Sequence, residues 1–152
     1  VKSIPLSFDV KIINRQARFD YELKDRIEAG MVLTGAEAKS AKLGHVDLGA
    51  AFCKFRPGRF GLDLWVHNLH IYPYPHADNT DYDPKRPRKL LVHKKEMISL
   101  QSRMKQARLL LVPTALYTHS GLVKLELALA RGKRIYEKRE AIKKRDLDRE
   151  MA

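Results

Sequence analysis

The sequence contains a single cysteine, Cys53, among 152 residues. One thiol cannot form an intrachain disulfide, and such a chain fits a reducing compartment such as the cytoplasm. No apolar run approaches the roughly 20 residues that a membrane-spanning helix needs. The first residues also lack the apolar segment of a secretory signal. These absences favour a cytoplasmic protein with no membrane partner.

The signatures of an active site are missing as well. The sequence has no Gly-rich phosphate loop, nucleophile elbow or His-Glu-x-x-His motif. His67 and His70 are three residues apart in a predicted strand, which points them to opposite faces and disfavours a metal pair. Cys53 lies in an apolar stretch and fits a small core residue better than a nucleophile. We therefore predict a binding protein that is not an enzyme, with no cofactor and no metal.

Positive charge is abundant, and it is concentrated in the second part of the chain. Residues 1–83 contain 11 Lys and Arg against 11 Asp and Glu, whereas residues 84–152 contain 19 against 7. A basic surface of this kind indicates a nucleic acid or an anionic membrane as partner. The C-terminal stretch lacks the apolar face of an interfacial helix. A nucleic acid is therefore the favoured partner.

The character of the chain changes near residue 130. Side chains alternate between apolar and other types from Leu122 to Ala130, the period of a half-buried strand. From Lys133 to Glu150 nearly every residue is charged, so this segment buries too little apolar surface to fold alone. Its oppositely charged residues at four-residue spacing nevertheless support a helix. We predict a folded domain over 1–130 and a basic C-terminal tail over 131–152 that is disordered or helical.

Several short apolar segments precede this boundary. Strands are predicted at Phe8–Ile13, from Glu28 up to the start of a helix at Gly35, at Ala51–Phe55, at Leu62–Val66 with a continuation over Leu69–Tyr72, and at Leu109–Thr118 and Leu122–Ala130 as a hairpin. The Pro57-Gly58 pair predicts the turn that joins the strand at Ala51–Phe55 to the strand at Leu62–Val66. One helix is predicted from Gly35 to Leu43, because Thr34 and Glu37 have capping-box spacing and Gly44 follows. A second is predicted from Lys94 to Arg108, with Met97, Leu100, Met104 and Ala107 on its core face. The prediction is a mainly β fold, a small antiparallel barrel of the oligonucleotide-binding (OB) type with about six strands and two to three helices.

Two stretches carry residues suited to RNA. Arg15 and Arg18 stand beside Phe19 and Tyr21, and arginine offers a planar fork for phosphate while aromatic rings stack on bases. Residues 83–89 place four cations in five positions, and two prolines hold that backbone extended. Both stretches are candidate RNA contacts.

Short motifs in a specific order resemble one protein family. They include Asn14-Arg15-Gln16-Ala17-Arg18, Glu28-Ala29-Gly30, Arg88-Lys89-Leu90-Leu91 and Gly132-Lys133 followed by Lys138-Arg139. Together they resemble the SsrA-binding protein family, also called small protein B, of bacterial trans-translation. Gln16, Phe19 and Glu137 depart from the family pattern.

The resemblance implies an OB-type barrel that holds the transfer-RNA-like part of transfer-messenger RNA. It assigns RNA contacts to Asn14, Glu28 and Leu91. For Leu91 the competing interpretation is a core residue. The full set of barrel residues expected at the RNA is Asn14, Arg15, Arg18, Tyr21, Glu28, Lys39, Ser40, Arg88, Lys89, Leu90, Leu91, His93 and Lys94.

For the tail, the resemblance implies a segment that becomes helical in the empty messenger channel of a stalled 70S ribosome, against 16S ribosomal RNA. Elongation factor Tu and alanyl-tRNA synthetase are implied to act on the same RNA, and a monomer is expected. The alternative is a generic single-stranded nucleic-acid-binding or ribosome-associated OB-fold protein. The tail residues expected at the ribosome are Gly132, Lys133, Arg134, Tyr136, Glu137, Lys138, Arg139, Lys143, Lys144 and Arg145.

Overall fold

The computed structural model describes residues 10–133 and 135–151. This part of the chain contains nine strands and four helices, more than the six strands and two to three helices expected. The strands are β1 Val10–Ile13, β2 Tyr21–Met31, β3 Val46–Asp47, β4 Phe52–Gly58, β5 Gly61–His67, β6 His70–Ile71, β7 Arg88–Leu91, β8 Leu110–His119 and β9 Leu122–Gly132. The helices are α1 Arg15–Asp20, α2 Gly35–Lys42, α3 Lys94–Ala107 and α4 Ile135–Met151.

Seven of the strands form one antiparallel sheet in the order β1-β8-β9-β2-β7-β5-β4, and β3 pairs with β6 separately. Strand β4, at one end of the sheet, comes into contact with β8 near the other end. The sheet therefore curls around a single core. This mainly β, OB-like architecture confirms the predicted fold class.

The core of the barrel is built by the alternation seen in the sequence. Leu125, Leu127 and Leu129 of β9 point inward and are fully buried. The opposite face of this strand was expected to be exposed, but Ala128 and Ala130 are buried too. Helix α1 covers that face, where Ala130 joins a small apolar cluster with Ala17 and Val112. The half-buried pattern was therefore a poor guide to burial at the end of β9.

Helix α1 was not predicted, because six residues are too few to show a helical period. Asn14 caps it, since the Asn14 side chain accepts a hydrogen bond from the Ala17 amide at 3.1 Å. The Asn14 amide group also donates to the carbonyls of Leu48 and Pro113. One buried side chain thus ties the start of α1 to β8 and to the segment after β3.

Two local predictions around β4 and β5 need correction. The Pro57-Gly58 pair was expected to form the turn, but both residues lie in β4 and pair with Leu62 and Gly61. The predicted continuation of β5 into residues 69–72 is interrupted at Asn68, which adopts a left-handed φ of 57°. Residues 70–71 instead form β6, which pairs with β3. At Pro57-Gly58 strand pairing overrode the local turn signal, whereas at Asn68 a left-handed residue ended β5 where the apolar pattern had predicted that the strand continues.

The two predicted helices are present with their expected signals. Thr34 and Glu37 form the capping box of α2, and Gly44 beyond it has a φ of +82°. In α3, Leu100 is buried while Met97 and Met104 pack against the core. Ala107, expected on the core face, is exposed because the helix ends there. The predicted hairpin of β8 and β9 is also present, with its turn at residues 120–121.

Three features of the described residues concern a membrane, a metal ion and the single thiol. None of their helices combines the length and the apolar character needed to cross a lipid bilayer. Within the same ranges, no group of three or more His, Cys, Asp or Glu side chains is arranged to hold a metal ion. Cys53 is buried in β4, and burial raises the pKa of its thiol well above the ordinary value.

Candidate nucleic-acid interface

Leu91 lies on the outer face of the sheet and is 55% exposed. It stands opposite Gly30 of β2, which in turn stands opposite Lys124 of β9. The Lys124 ammonium reaches over Gly30, 3.8 Å from the place a Cβ would take there. An exposed leucine and a cation therefore lie side by side over a residue with no side chain. The interpretation of Leu91 as a core residue is excluded by its exposure.

Glu28 lies on the same face, two residues along β2 from Gly30, the residue opposite Leu91. Its carboxylate accepts a hydrogen bond of 2.6 Å from the hydroxyl of Tyr117, a buried residue of β8. Burial, followed by this bond to a carboxylate, raises the pKa of Tyr117 above its ordinary value. The Tyr117 hydroxyl is therefore a donor that orients Glu28. Sequence reasoning missed Tyr117, since the two residues are 89 positions apart.

Glu28 also faces a like charge, since Glu126 of β9 lies directly opposite it. Adjacent carboxylates on paired strands destabilise a sheet unless other groups offset them. Thr114 donates a hydrogen bond of 2.8 Å to Glu126, and the Arg26 guanidinium lies 3.4 Å from the same carboxylate. The acidic pair is thus held in place by three neighbours, and Glu28 keeps a fixed orientation.

Three of the expected RNA contacts near Leu91 are accessible. His93 and Lys94 are accessible at the start of α3, where His93 is the N-cap residue without a side-chain capping bond. Lys89 is partly exposed, with its ammonium 3.7 Å from Asp63. Lys89 and Lys94 are two and three residues from Leu91 along the chain, and Lys124 lies beside it over Gly30, so cations flank Leu91.

Two neighbours of Leu91 correct the expectation of a continuous RNA-facing run. Leu90 is 2% exposed and belongs to the barrel core. Arg88 is fully buried, and its guanidinium pairs with the Glu37 carboxylate at 2.5 Å and donates to the Leu69 carbonyl at 2.6 Å. Neither side chain is available to a phosphate, because strand alternation and burial turn both of them inward. Arg88 is a structural ion-pair residue.

Glu37 is the centre of this buried network. It accepts hydrogen bonds from Arg86 at 2.5 Å and from Arg88 at 2.6 Å while closing the capping box with Thr34. Burial of the carboxyl raises its pKa, but hydrogen bonds from Arg86 and Thr34 and the charge of Arg88 outweigh that effect, so the pKa lies below its ordinary value. The capping role predicted for Glu37 is confirmed. The sequence did not show that Glu37 also neutralises two of the four cations in the basic stretch.

Three further expected contacts differ in accessibility. Asn14 is 2% exposed, and its amide is used by the cap described above. Ser40 is fully buried, and its hydroxyl donates to the Tyr72 carbonyl at 2.5 Å. Lys39 is accessible, with its ammonium 5.6 Å from the centre of the Tyr74 ring. Asn14 and Ser40 therefore hold backbone segments together in this structure, which corrects their expected direct contact with RNA.

The remaining N-terminal candidates lie on and beside α1. Arg15 and Arg18 are exposed, and Tyr21 is partly buried against the cluster beneath the helix. They are about 100 residues from β9 in sequence, yet Tyr21 pairs with Gly132 at the end of that strand. The start of the predicted tail thus lies against α1 rather than apart from it.

Helix α4 contacts α1 through a small set of side chains. The Lys138 ammonium is 3.3 Å from the Asp20 carboxylate and 6.0 Å from the centre of the Phe19 ring. A 2.7 Å hydrogen bond from Gln16 to Asp20 is the main cause of a lowered pKa for that carboxyl, and Lys138 adds to it. Both N-terminal departures from the family pattern, Gln16 and Phe19, therefore lie at this contact.

The structure describes only some of the other tail residues that were expected at the ribosome. Gly132 pairs within β9, and the Lys133 amide donates to the Asp20 carbonyl at 3.0 Å. Arg134 and the side chains of Tyr136 and Glu137 lie outside the described residues. Exposed cations of α4 include Arg139, Lys143, Lys144 and Arg145. The division into 1–130 and 131–152 remains a prediction, and β9 runs two residues past it.

The structure combines a curled antiparallel barrel, an exposed leucine flanked by cations, and a C-terminal helix with exposed lysines and arginines. This combination defines the class of OB-type nucleic-acid-binding barrels. A basic face of this kind attracts phosphates, and an exposed leucine among cations provides an apolar contact for a base or a ribose.

The comparisons identify the family. The family model described as SmpB protein matches residues 11–152. A relative named SsrA-binding protein from Syntrophotalea carbinolica is 46% identical over 145 residues, which cover 94% of this chain and 94% of the relative. Another of that name, from Acidothermus cellulolyticus, is 45% identical over 139 residues, covering 91% and 85%. The chain belongs to the SmpB protein family, which confirms the resemblance drawn from short motifs.

A solved structure agrees with this assignment. It is described as "tmRNA-SmpB: a journey to the center of the bacterial ribosome". The matched chain is 40% identical, with a TM-score of 0.66 over 87% of this chain and 94% of that chain. Sequence and fold therefore point to the same family.

Proposed function

We propose that this chain is a non-enzymatic adaptor that binds the transfer-RNA-like part of transfer-messenger RNA and delivers it to stalled ribosomes for trans-translation. Membership of the SmpB family supports the partner. The observation that carries the proposal is the exposed Leu91, placed in register with Gly30 and Lys124 on an open sheet face. The action takes place in the cytoplasm, where ribosomes are, and involves a monomer.

Each group on this face has a distinct chemical role toward RNA. Lys124, Lys89 and Lys94 neutralise phosphates and release counterions. Leu91 packs against the apolar surface of a base or ribose, over the flat site at Gly30. Glu28 repels phosphate, but its carboxylate accepts a hydrogen bond from a 2′-hydroxyl or a base amino group. A fixed acceptor among cations distinguishes one RNA shape from another, which charge alone does not.

The tail has a separate role in the proposal. The exposed cations of α4 bind 16S ribosomal RNA in a vacant messenger channel, and the helix contributes only when that channel is empty. The contact between Lys138 and Asp20 is a weak surface ion pair that releases the helix at little cost. Elongation factor Tu and alanyl-tRNA synthetase then act on the RNA that the barrel carries.

A competition assay tests the barrel's role. The intact protein is titrated onto labelled transfer-messenger RNA at near-physiological salt with an excess of ordinary transfer RNA. We expect tight binding to persist. Complete displacement would instead support the generic nucleic-acid-binding protein.

A further inference from the structure

The outer face of β4 and β5 carries aromatic and cationic side chains in alternating cross-strand pairs. Phe52 stands opposite His67, and their rings stack with centres 5.3 Å apart and planes inclined by 11°. Two pairs further along, and therefore on the same face, Lys54 stands opposite Trp65. The Arg56 guanidinium lies over Trp65, 4.9 Å from the ring centre. We call these five residues the aromatic platform.

Alternation along the two strands explains why the platform faces outward. Cys53 of β4 and Leu64 and Val66 of β5 point into the core and are buried. Their neighbours Phe52 and Trp65 are only partly buried, and Lys54 is exposed. The sheet therefore presents flat rings and cations to solvent without sacrificing core packing.

The surroundings of His67 favour its neutral form, which suits stacking. Burial lowers its pKa below the ordinary value, and the charges of Arg56 and Lys54 lower it further. The Arg56 guanidinium lies 3.1 Å from Nε2 of His67, a distance at which a neutral imidazole accepts a hydrogen bond. This bond holds Arg56 between His67 and Trp65.

The platform is continuous with the face that carries Leu91. Lys89 of β7 stands opposite Trp65, and Leu91 follows two residues later on the same side of the strand. A carboxylate beside them, that of Asp63, lies 3.7 Å from the Lys89 ammonium. On the other side, Phe52 and Lys54 border a cavity of about 630 Å³ that Tyr21 also lines.

We propose that the aromatic platform is a second RNA contact, which stacks unpaired bases while Lys54, Arg56 and Lys89 neutralise their phosphates. Aromatic rings and guanidinium planes bind bases without regard to sequence, and interleaved cations track the backbone. The inference rests on the RNA-binding function proposed above. It adds to that function a class of ligand, single-stranded segments, and a set of residues separate from Leu91 and Glu28.

The chain contains one tryptophan, Trp65, so its fluorescence reports on the platform directly. The intact protein is titrated with a hexamer of adenylate, with tripolyphosphate and with a short RNA duplex. A saturable change in Trp65 emission with the hexamer alone is expected. The inference is overturned if a labelled hexamer binds by anisotropy without changing the emission, or if tripolyphosphate changes it equally.

Variants test the stacking chemistry. Phe52→Leu removes a ring but keeps an apolar side chain, and we expect it to weaken hexamer binding about tenfold or more. Trp65→Phe keeps a ring and retains most of the affinity. Tyr72→Leu is the matched control, because Tyr72 is 45% exposed and its ring packs on that of His70, 4.2 Å between centres, so it makes an aromatic contact that is not part of the platform. Equal losses in Phe52→Leu and Tyr72→Leu, with native circular dichroism spectra, would refute the inference.

A final pair of assays locates the single-stranded RNA and separates this inference from the proposed function. Phe52→Leu is compared with Leu91→Asp for binding to transfer-messenger RNA and for ribosome rescue. A defect of Phe52→Leu in the first assay assigns the platform to transfer-messenger RNA, and a defect only in the second assigns it to ribosomal RNA. If Phe52→Leu behaves as wild type in both while Leu91→Asp fails, the platform inference is wrong and the proposed function stands.

Discussion

Leu91 is the side chain on which the proposed RNA contact depends most directly. We expect Leu91→Asp to weaken binding to transfer-messenger RNA about tenfold or more, because a carboxylate would face phosphates across the contact. Since Leu91 is 55% exposed, its replacement should cost only about 1 kcal/mol of stability. Binding is measured by filter retention and folding by circular dichroism. Ile98→Asp is the control, as Ile98 is 58% exposed on α3. Loss of the native spectrum in Leu91→Asp would contradict the assignment.

Glu37 is a buried charged residue whose loss should strongly destabilise the barrel. Glu37→Gln leaves the buried Arg88 guanidinium without a counter-charge, and breaking such a pair costs about 3 kcal/mol. Because the folded-state pKa of Glu37 lies below its ordinary value of 4.5, its stabilising effect is complete above that pH and is lost as the pH falls through the folded value. The variant should therefore have a lower Tm at pH 7 and a weaker dependence of Tm on pH below 4.5.

An exposed ion pair provides the comparison for Glu37. Asp25 pairs with Arg103 at 2.9 Å, and about half of each side chain is exposed. Solvent screens such a pair, so Asp25→Asn should change stability by less than about 1 kcal/mol. If Glu37→Gln and Asp25→Asn lowered the Tm by similar amounts, the buried network around Glu37 would contribute no more to stability than an exposed ion pair.

At the scale of elements, two glycine substitutions distinguish the cost of backbone strain from the cost of a steric clash. Gly121 in the turn between β8 and β9 has a φ of +78°, whereas Gly35 is the first residue of helix α2. Apart from the adjoining backbone, a methyl group added at either position would meet no atom of the described residues within 4 Å. We expect Gly121→Ala to destabilise the protein by about 1 kcal/mol. Gly35→Ala should be neutral or stabilising by up to about 1 kcal/mol. Urea unfolding of both variants gives the comparison, and equal effects would rule out strain at the turn.

The elements also differ in how far local sequence determined them. Helix α2 was predicted within one residue because its capping box and terminal glycine are both local signals. Helix α1 was missed because it depends on Asn14, whose partners Leu48 and Pro113 are 34 and 99 residues away. The turn predicted at Pro57-Gly58 was wrong because β4 continues to pair with β5 through both residues.

At the scale of the whole molecule, nearly all of the net charge of +12 lies outside α4, whose six Lys and Arg residues are almost balanced by five Asp and Glu residues. We expect replacement of Lys143, Lys144 and Arg145 by Gln in the intact chain to leave transfer-messenger RNA binding unchanged and to abolish ribosome rescue. The slope of log affinity against log salt for that RNA should also be the same in the triple variant as in the unsubstituted chain. Each phosphate contact contributes about 0.7 to 0.9 to this slope, and we expect none to be lost. A reduced slope in the triple variant would show that α4 binds the carried RNA, contrary to the proposed division of roles.

The sequence by itself determined the class of fold, the family and the concentration of charge. Apolar alternation is a local property of each strand, and a capping box spans four residues, so both can be recognised in the sequence without knowledge of tertiary contacts. The family motifs are equally local. The exposure of Leu91 could not be derived in this way, since the same residue fitted a core position and an RNA contact.

Only the tertiary structure decided which charged and polar residues are available to a partner. Arg88 is buried because Glu37, 51 residues earlier, meets it inside the barrel. Tyr117 orients Glu28 across 89 residues, and β4 and β5 bring Phe52 beside His67. Desolvating a charge is unfavourable unless a partner compensates it, and that partner is set by strand pairing rather than by sequence neighbours. The accessible set of RNA-facing residues is therefore a property of the folded barrel.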